Sequence, residues 1–136
     1  MNDKHKIRVL IIDDHAILRM GLTSLLETTG DIDVVGDASN GEAGLRKAVR
    51  LKPDVILLDL MMPGIDGFEV IRRLLANPET ADIQIVILSA LTSNEDIIKG
   101  FDVGANDFIM KPIIMEKLLT CVVTHLQLAE AKKTQA

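Results

Sequence analysis

The sequence is poor in aromatic residues and in cysteine. Among 136 residues there are three Phe, no Trp and no Tyr. Proteins that bind single-stranded nucleic acid stack the bases on aromatic side chains, so the composition argues against that class of binding. Cys121 is the only cysteine, which excludes an intramolecular disulfide framework and a cysteine-based zinc site.

Excess positive charge and long apolar runs are also missing. The formal net charge is -5, from 15 Lys and Arg against 20 Asp and Glu, and no basic cluster offers a surface for nucleic acid or anionic lipid. No apolar run approaches the roughly 18 residues of a membrane-spanning helix. Residues 1–6 are polar and lack the apolar core of a secretion signal. We therefore expect one soluble cytoplasmic domain that binds neither nucleic acid nor membrane directly.

What the sequence does contain is an alternation of short apolar runs with longer amphipathic segments. The apolar runs are rich in β-branched residues and apolar at consecutive positions, as expected of strands covered on both faces. Strands are predicted at residues 9–12, 32–38, 55–58, 85–88 and 107–110. Helices are predicted over residues 16–28, 41–51, 66–77 and 92–104, and from residue 114 onward. Strict alternation of the two predicts an α/β fold with a doubly wound, five-stranded parallel sheet.

Three of these helices begin with a pattern that predicts the capping residue. Ser39, Asp66 and Thr92 each have a glutamate three residues later. A capping side chain and a glutamate at this spacing can satisfy the unpaired N–H groups of the first helical turn.

Polar side chains follow four of the five predicted strands, at the points where those strands end. They are Asp13 and Asp14 after the first strand, Asp59 after the third, Ser89 after the fourth and Lys111 after the fifth. In open α/β sheets the functional crevice lies at the carboxyl ends of the strands. Charges flanked by strand-core residues are costly unless they are paired or bound to metal. The set therefore indicates a functional site at one edge of the sheet.

The residue types at this edge suit the chemistry of phosphoryl groups. Two carboxylates at ~4 Å repel by roughly 4 kcal/mol at an effective dielectric of 20. A divalent cation relieves that repulsion, and an all-oxygen set of ligands suits Mg²⁺. A lysine and a hydroxyl facing the cation would complete a cradle for a phosphoryl group. A carboxylate can itself be the nucleophile that accepts this group, and Asp59, on the central strand, is the candidate.

The residues at the strand ends also carry a resemblance to a known family. The acid pair Asp13–Asp14, the loop Asp-x-x-Met-Pro-Gly-x-Asp-Gly at 59–67, Ser89-Ala90 and Lys111-Pro112 occur in order and at characteristic spacing. From about residue 8 to about residue 126 the chain resembles the CheY-like receiver domain of two-component response regulators. The resemblance implies a flavodoxin-like fold with strand order 2-1-3-4-5. It implies a receiver domain over residues 1–126, with 127–136 as a helical extension or a linker to a missing output domain.

The same resemblance implies roles for the acidic residues. Asp59 would accept a phosphoryl group from a sensor histidine kinase or a phosphotransfer protein, in a reaction that depends on Mg²⁺. Asp14 would bind Mg²⁺ directly, together with Asp59, and Asp13 would act mainly through a bound water. The backbone carbonyl of Met61 would be the third protein ligand.

The remaining implied roles concern the phosphoryl oxygens and the switch. Lys111 would pair with those oxygens, and its peptide bond to Pro112 would be cis. Ser89 would move to bond the phosphoryl group, and the ring of Phe108 would move inward with it. The surface of the fourth helix, fifth strand and fifth helix would then change its affinity for a partner or for a second copy of the chain.

Two apolar positions are predicted to set the lifetime of the phosphorylated state. Met61 lies two residues after Asp59, and Leu91 lies two residues after Ser89. Neither side chain has an amide or carboxylate that could orient an attacking water. We expect self-dephosphorylation to be slow compared with relatives that carry polar residues at these positions.

The strand-end residues allow one alternative function, and His15 and Cys121 have simpler interpretations. A Mg²⁺-dependent phosphohydrolase also forms an aspartyl-phosphate, but it typically has a second carboxylate two residues after the nucleophile, where this chain has Met61. We therefore expect no enzymatic turnover beyond self-phosphorylation and self-dephosphorylation. His15 is interpreted as a residue of the helix start rather than a ligand, and Cys121 as a small core or interface residue.

Overall fold

A computed structural model describes the backbone of residues 6–90 and 93–135, and beyond Thr124 it describes only the side chain of Gln127. Strands and helices alternate as predicted. The strands are β1 (Ile7–Ile12), β2 (Ile32–Ala38), β3 (Val55–Asp59), β4 (Gln84–Ser89) and β5 (Asp107–Met110). The helices are α1 (Ala16–Glu27), α2 (Gly41–Leu51), α3 (Gly67–Ala76), α4 (Asn94–Val103) and α5 (Met115–Gln135). No described helix combines the length and apolar composition that a bilayer crossing requires.

The five strands form one parallel sheet in the order β2-β1-β3-β4-β5. This confirms the predicted fold and strand order. The chain winds from β1 outward to β2, then returns to the other side of β1 and continues to β5. The winding therefore reverses between β1 and β3, whose carboxyl ends lie side by side in the centre of the sheet. This is the position where α/β proteins of this type form their functional crevice.

Each face of the sheet is covered by its own hydrophobic core. Successive strand residues point to opposite faces, so Ile56 and Leu58 belong to one core and Val55 and Leu57 to the other. Residues of α2 and α3 complete the first core, and residues of α1 and α5 complete the second. Because both faces are buried, β3 is buried at every position, including its last residue, Asp59.

The helix starts differ from prediction at two of the three predicted caps. Asp66 caps α3 as expected, and its carboxylate accepts the Glu69 N–H at 2.9 Å. The Ser39 cap is wrong, because the cap of α2 is Asn40, whose side chain accepts the Ala43 N–H at 2.8 Å. Thr92 lies outside the described residues, and the cap of α4 is Ser93. Neighbouring polar residues compete to be the cap, and the path of the chain out of the sheet decides between them.

Candidate functional site

The sheet brings the predicted strand-end residues together at one edge. Asp13 directly follows β1, Asp59 ends β3, Ser89 ends β4 and Lys111 directly follows β5. Each of these strands is hydrogen-bonded to the next one in this series. Asp13, Asp59 and Ser89 are buried at 0%, 3% and 0% exposure, so buried carboxylates share this edge with a lysine.

Asp13 is held by hydrogen bonds at all of its oxygens. Its Oδ2 accepts from the Lys111 ammonium at 3.0 Å. Its Oδ1 accepts the backbone N–H of His15 at 2.9 Å and lies 2.9 Å from the Nδ1 of the same residue. Its backbone carbonyl accepts from the Arg19 guanidinium at 2.6 Å. Asp13 is therefore a fixed part of the site, with little freedom to rotate.

Asp59 is much less well satisfied. Its Oδ1 accepts the Met61 N–H at 3.3 Å and lies 3.8 Å from the Lys111 Nζ. Its Oδ2 is buried and has no hydrogen-bond partner among the described residues. Burial and then the charge of Asp13 raise the pKa of Asp59 to about 6, against the opposing effect of Lys111. The site thus holds a buried carboxylate with one oxygen available to a ligand.

Asp14 and His15, the two residues after Asp13, form the exposed side of the site. The Asp14 side chain is 30% exposed and that of His15 is 65% exposed, and their Oδ1 and Nδ1 atoms lie 3.2 Å apart. One donor atom from each of Asp13, Asp14, His15 and Asp59 lies within 4.8 Å of the other three. The three carboxylates and the unpartnered Asp59 Oδ2 fit a hard divalent cation such as Mg²⁺, which prefers oxygen ligands.

The loop after β3 returns to the strand it has just left. The Gly67 N–H donates to the Leu60 carbonyl at 3.0 Å. A Cβ atom on Gly67 would lie 2.8 Å from the Asp59 carbonyl oxygen and 2.8 Å from the Leu60 Cα. The residue must therefore be glycine for the loop to close against the end of β3. Gly64 in the same loop has a φ of +85°, a conformation that glycine adopts without strain.

At the other side of the site, β5 ends against β4. The Lys111 N–H donates to the Ser89 carbonyl at 2.8 Å, and the peptide bond between Lys111 and Pro112 is cis. The hydrogen bond holds the Lys111 backbone beside Ser89, and the Lys111 side chain, 18% exposed, extends towards Asp13. Phe108, three residues earlier, is half-buried and packs against the core on the α4 side of the sheet.

Two residues at the start of α1 contact the acid pair. His15 is the N-cap of α1, as expected of a residue at the helix start, and its Nδ1 also faces both carboxylates of the acid pair. No sequence pattern predicts a role for Arg19. Its Nε pairs with Asp37 at the end of β2 at 2.9 Å, while its Nη1 holds the Asp13 carbonyl. The only available signal was its position one helical turn after His15.

The structure describes one of the two residues that are predicted to set the lifetime of the phosphorylated state. Met61 follows Asp59 by two residues, and its side chain is 61% exposed at the mouth of the site. Leu91 lies outside the described residues, so its place near Ser89 stays a prediction.

Comparison with known proteins gives the same family from sequence and from structure. The model of the response regulator receiver domain matches residues 9–123. The chain is 43% identical over 105 residues to the transcriptional regulatory protein LiaR of Bacillus subtilis, covering 77% of this chain and 49% of that protein. It is 39% identical over 117 residues to a protein-glutamate methylesterase/protein-glutamine glutaminase of Geobacter sulfurreducens, covering 85% of this chain and 31% of that protein.

A solved structure shows the same fold at similar coverage. The response regulator domain of Thermotoga maritima CheB matches with a TM-score of 0.82 and 33% identity, covering 90% of this chain and 98% of that one. The chain spans only about a third to a half of the two curated relatives, so it corresponds to one part of each. By family model, sequence and fold, this chain belongs to the response regulator receiver domains.

Proposed function

We propose that Asp59 accepts a phosphoryl group and that this modification switches the domain. The supporting observation is the buried Asp59 carboxylate, whose Oδ2 has no hydrogen-bond partner among the described residues. Burying an oxygen that has no hydrogen-bond partner lowers the stability of the folded protein. Accepting a phosphoryl group is a function that would account for this cost. With a pKa of about 6, Asp59 is mostly ionised at neutral pH and can act as a nucleophile.

The surrounding residues can bind and orient the incoming group. The bond would form between Asp59 Oδ2 and phosphorus as the bond from phosphorus to the donor breaks. The Lys111 ammonium, 3.8 Å from Asp59 Oδ1, can pair with a phosphoryl oxygen, and the Ser89 hydroxyl can bond another. Asp13, Asp14, Asp59 and the Met61 carbonyl would hold Mg²⁺, which when bound supplies positive charge to the phosphoryl oxygens.

The proposed donor is a sensor histidine kinase or a phosphotransfer protein. A phosphohistidine is a suitable donor because its P–N bond breaks with the imidazole as leaving group. Met61 and Asp14 form a solvent-exposed mouth beside Asp59. A protein donor would present its phosphohistidine to Asp59 from this side.

The proposed output is the face of α4, β5 and α5, which we call the output face. Five large apolar residues in or next to these elements are exposed: Ile98, Phe101, Met110, Ile114 and Val123. Phe108 lies in the same strand as Met110 and packs towards α4. Movement of Ser89 and Phe108 would therefore change the packing beneath this face and its affinity for a partner or a second copy of the chain.

We propose that residues 127–136 serve as a helical extension of the domain or as a linker to an output segment. The helix continues to Gln135, and the family model ends at residue 123. The curated relatives are two to three times longer than the part that this chain matches. A helical connector would pass a change at the output face to whatever follows it.

The test is phosphoryl uptake from a small phosphodonor with Mg²⁺, followed by intact-protein mass spectrometry. We expect one phosphoryl group per chain in the native protein and none in Asp59→Asn. Asp54→Asn, a carboxylate replaced at the opposite end of β3, is the matched control and should be phosphorylated normally. Phosphorylation of Asp59→Asn, or turnover of many donor equivalents without a phosphorylated protein, would contradict the proposal.

A further inference from the structure

The imidazole of His15 lies against the acid pair with its Nδ1 directed at both carboxylates. The Nδ1 atom is 2.9 Å from Asp13 Oδ1 and 3.2 Å from Asp14 Oδ1. The His15 side chain is 65% exposed, so core packing does not fix the position of the ring. A nitrogen donor thus stands at a site whose other side-chain donors are carboxylate oxygens.

The spacing of these atoms fits ligands that share one ion. Metal–nitrogen and metal–oxygen bonds of about 2.1 Å place neighbouring ligand atoms about 3.0 Å apart in octahedral geometry and about 3.4 Å apart in the tetrahedral geometry usual for Zn²⁺. The two distances from His15 Nδ1, 2.9 and 3.2 Å, lie near the lower of these values. All four donor atoms lie within 4.8 Å of one another, so small side-chain movements would bring them around one ion.

A second observation points to a ligand at the same place. The buried Oδ2 of Asp59, a residue of this cluster, has no hydrogen-bond partner among the described residues. Asp13, by contrast, is already engaged by Lys111 and by the His15 backbone N–H. The cluster therefore keeps a coordination position open at Asp59 while His15 offers a nitrogen beside Asp14.

We propose that His15 is a metal ligand through Nδ1 and that the site accordingly takes imidazole-preferring divalent cations, Zn²⁺ above all, in competition with Mg²⁺. This proposal rests on the proposed function, because the same carboxylates would bind both cations. Imidazole suits zinc and the later first-row metals, whereas Mg²⁺ favours carboxylate and water. Zn²⁺ bound with His15 would displace Mg²⁺ from the shared carboxylates.

The competing explanation is that His15 only donates a hydrogen bond to Asp13. In that case its removal would loosen a carboxylate that both cations use, and their affinities would fall together. A ligand role predicts a selective loss, because Mg²⁺ makes little use of the nitrogen. The ratio of the two affinities therefore separates the explanations, whereas Zn²⁺ binding alone does not, since carboxylates also bind Zn²⁺ more tightly than Mg²⁺.

The experiment uses the full chain with His5 and His125 replaced by Ala, which leaves His15 as the only imidazole. Cys121 should not compete for zinc, because burial raises the pKa of its thiol to about 12. Titration calorimetry with Zn²⁺ and with Mg²⁺ compares this protein with its His15→Ala and His15→Gln variants. We expect each substitution to weaken Zn²⁺ binding by at least about 10-fold, the lower end of the loss when even an indirect partner of a metal ligand is removed, and Mg²⁺ binding by less than about 3-fold.

A spectroscopic measurement checks the ligand atom itself. With ¹⁵N-labelled histidine, Zn²⁺ should shift the Nδ1 resonance of His15 strongly and leave Nε2 as the protonated nitrogen. Equal losses of Zn²⁺ and Mg²⁺ affinity in His15→Ala, unchanged Zn²⁺ affinity, or a Zn²⁺ shift at Nε2 would each overturn the proposal. These measurements use unphosphorylated protein, so they can fail while Asp59 phosphorylation succeeds, and the reverse.

Discussion

There is an aspartate at each end of β3, and the two carboxylates differ in their hydrogen bonds. Asp54, just before the strand, accepts the Arg8 N–H on its Oδ2 at 2.9 Å. Its backbone N–H donates to the Arg8 carbonyl at 2.8 Å, and its carbonyl accepts from Gln84 at 3.1 Å. Asp59, the last residue of the strand, keeps a buried oxygen without a partner among the described residues. Asp54 joins β1 to β3, whereas Asp59 is left ready for a ligand.

This difference shows how a fold separates a structural carboxylate from a reactive one. At the amino end of β3, the Asp54 carboxylate accepts a hydrogen bond from the Arg8 backbone N–H. At the carboxyl end, Asp59 faces Asp13, and Lys111 is shared between the two. The same residue type is therefore stabilised at one end and held at higher free energy at the other. Stability and reactivity should respond in opposite ways to changes at the two ends.

The largest effect is expected from removing the shared lysine. Lys111→Ala leaves Asp13 and Asp59 without their ammonium, so phosphoryl uptake should fall about 100-fold or more, as when one donor of a charged transition state is lost. The measurement is the initial rate of uptake from a small phosphodonor with Mg²⁺. Arg8→Ala, which removes a cation from the opposite end of β3, is the control and should leave that rate within about 2-fold. Similar rates in the two variants would contradict the comparison.

The next effect is on stability, and it has opposite signs at the two ends. The pKa of Asp59 is raised from 3.8 to about 6 in the folded protein, so its protonated form stabilises the fold below about pH 4. This stabilisation is lost as the pH rises from about 4 through about 6. Above that pH, the free energy of unfolding is lower by on the order of 2–3 kcal/mol than it would be with a neutral side chain at this position. In metal-free protein, Asp59→Asn should therefore raise the free energy of unfolding at pH 7 by about this amount, and the gain should vanish near pH 3.

Asp54→Asn is the matched control for this measurement. It should lower stability by about 1 kcal/mol, because a charge-assisted hydrogen bond to Arg8 becomes a neutral one. Urea unfolding followed by circular dichroism at several pH values gives both numbers. Equal stabilisation by the two substitutions, or a gain from Asp59→Asn that does not depend on pH, would rule out the proposed strain at Asp59.

A smaller loss of stability is expected where the loop closes against β3. Gly67→Ala would place a methyl group 2.8 Å from the Asp59 carbonyl oxygen, so the loop must shift at a cost of about 1–3 kcal/mol. The same shift would move Met61 and slow phosphoryl uptake. Gly21→Ala on α1 is the control, because nothing lies within 4 Å of the added Cβ. It should be neutral or stabilising by up to about 1 kcal/mol, and the opposite ranking by thermal unfolding would be a contradiction.

The smallest effect concerns the lifetime of the phosphorylated state. Replacing Met61 by Asn together with Leu91 by Glu would supply groups that can orient a water, and self-dephosphorylation should become about 10-fold faster. Decay of the purified phosphorylated protein gives the rate. Met20→Asn, a change at an exposed methionine of α1, is the control and should decay like the native protein. An unchanged rate in the double variant would remove these two positions from the account.

The elements and the site were predictable from sequence to different degrees. Short β-branched runs predict strands wherever both faces of a sheet are covered, and the acid pair, Asp59, Ser89 and Lys111 were found because they end those runs. The caps at Asn40 and Ser93 were missed by one residue, since neighbouring polar side chains can all serve and only the chain path selects one. Arg19 was missed because its partners, Asp37 and the Asp13 carbonyl, come together only when β1 and β2 pair.

The most direct test is to find which residue carries the phosphoryl group. Protein treated with a small phosphodonor and Mg²⁺ is reduced with borohydride, which converts an aspartyl-phosphate to homoserine, and the product is mapped by peptide mass spectrometry. We expect homoserine at position 59 and unmodified aspartate at position 54. Homoserine at position 13 or 14 in place of position 59, or a phosphoryl group found on His15, would contradict the proposed role of Asp59.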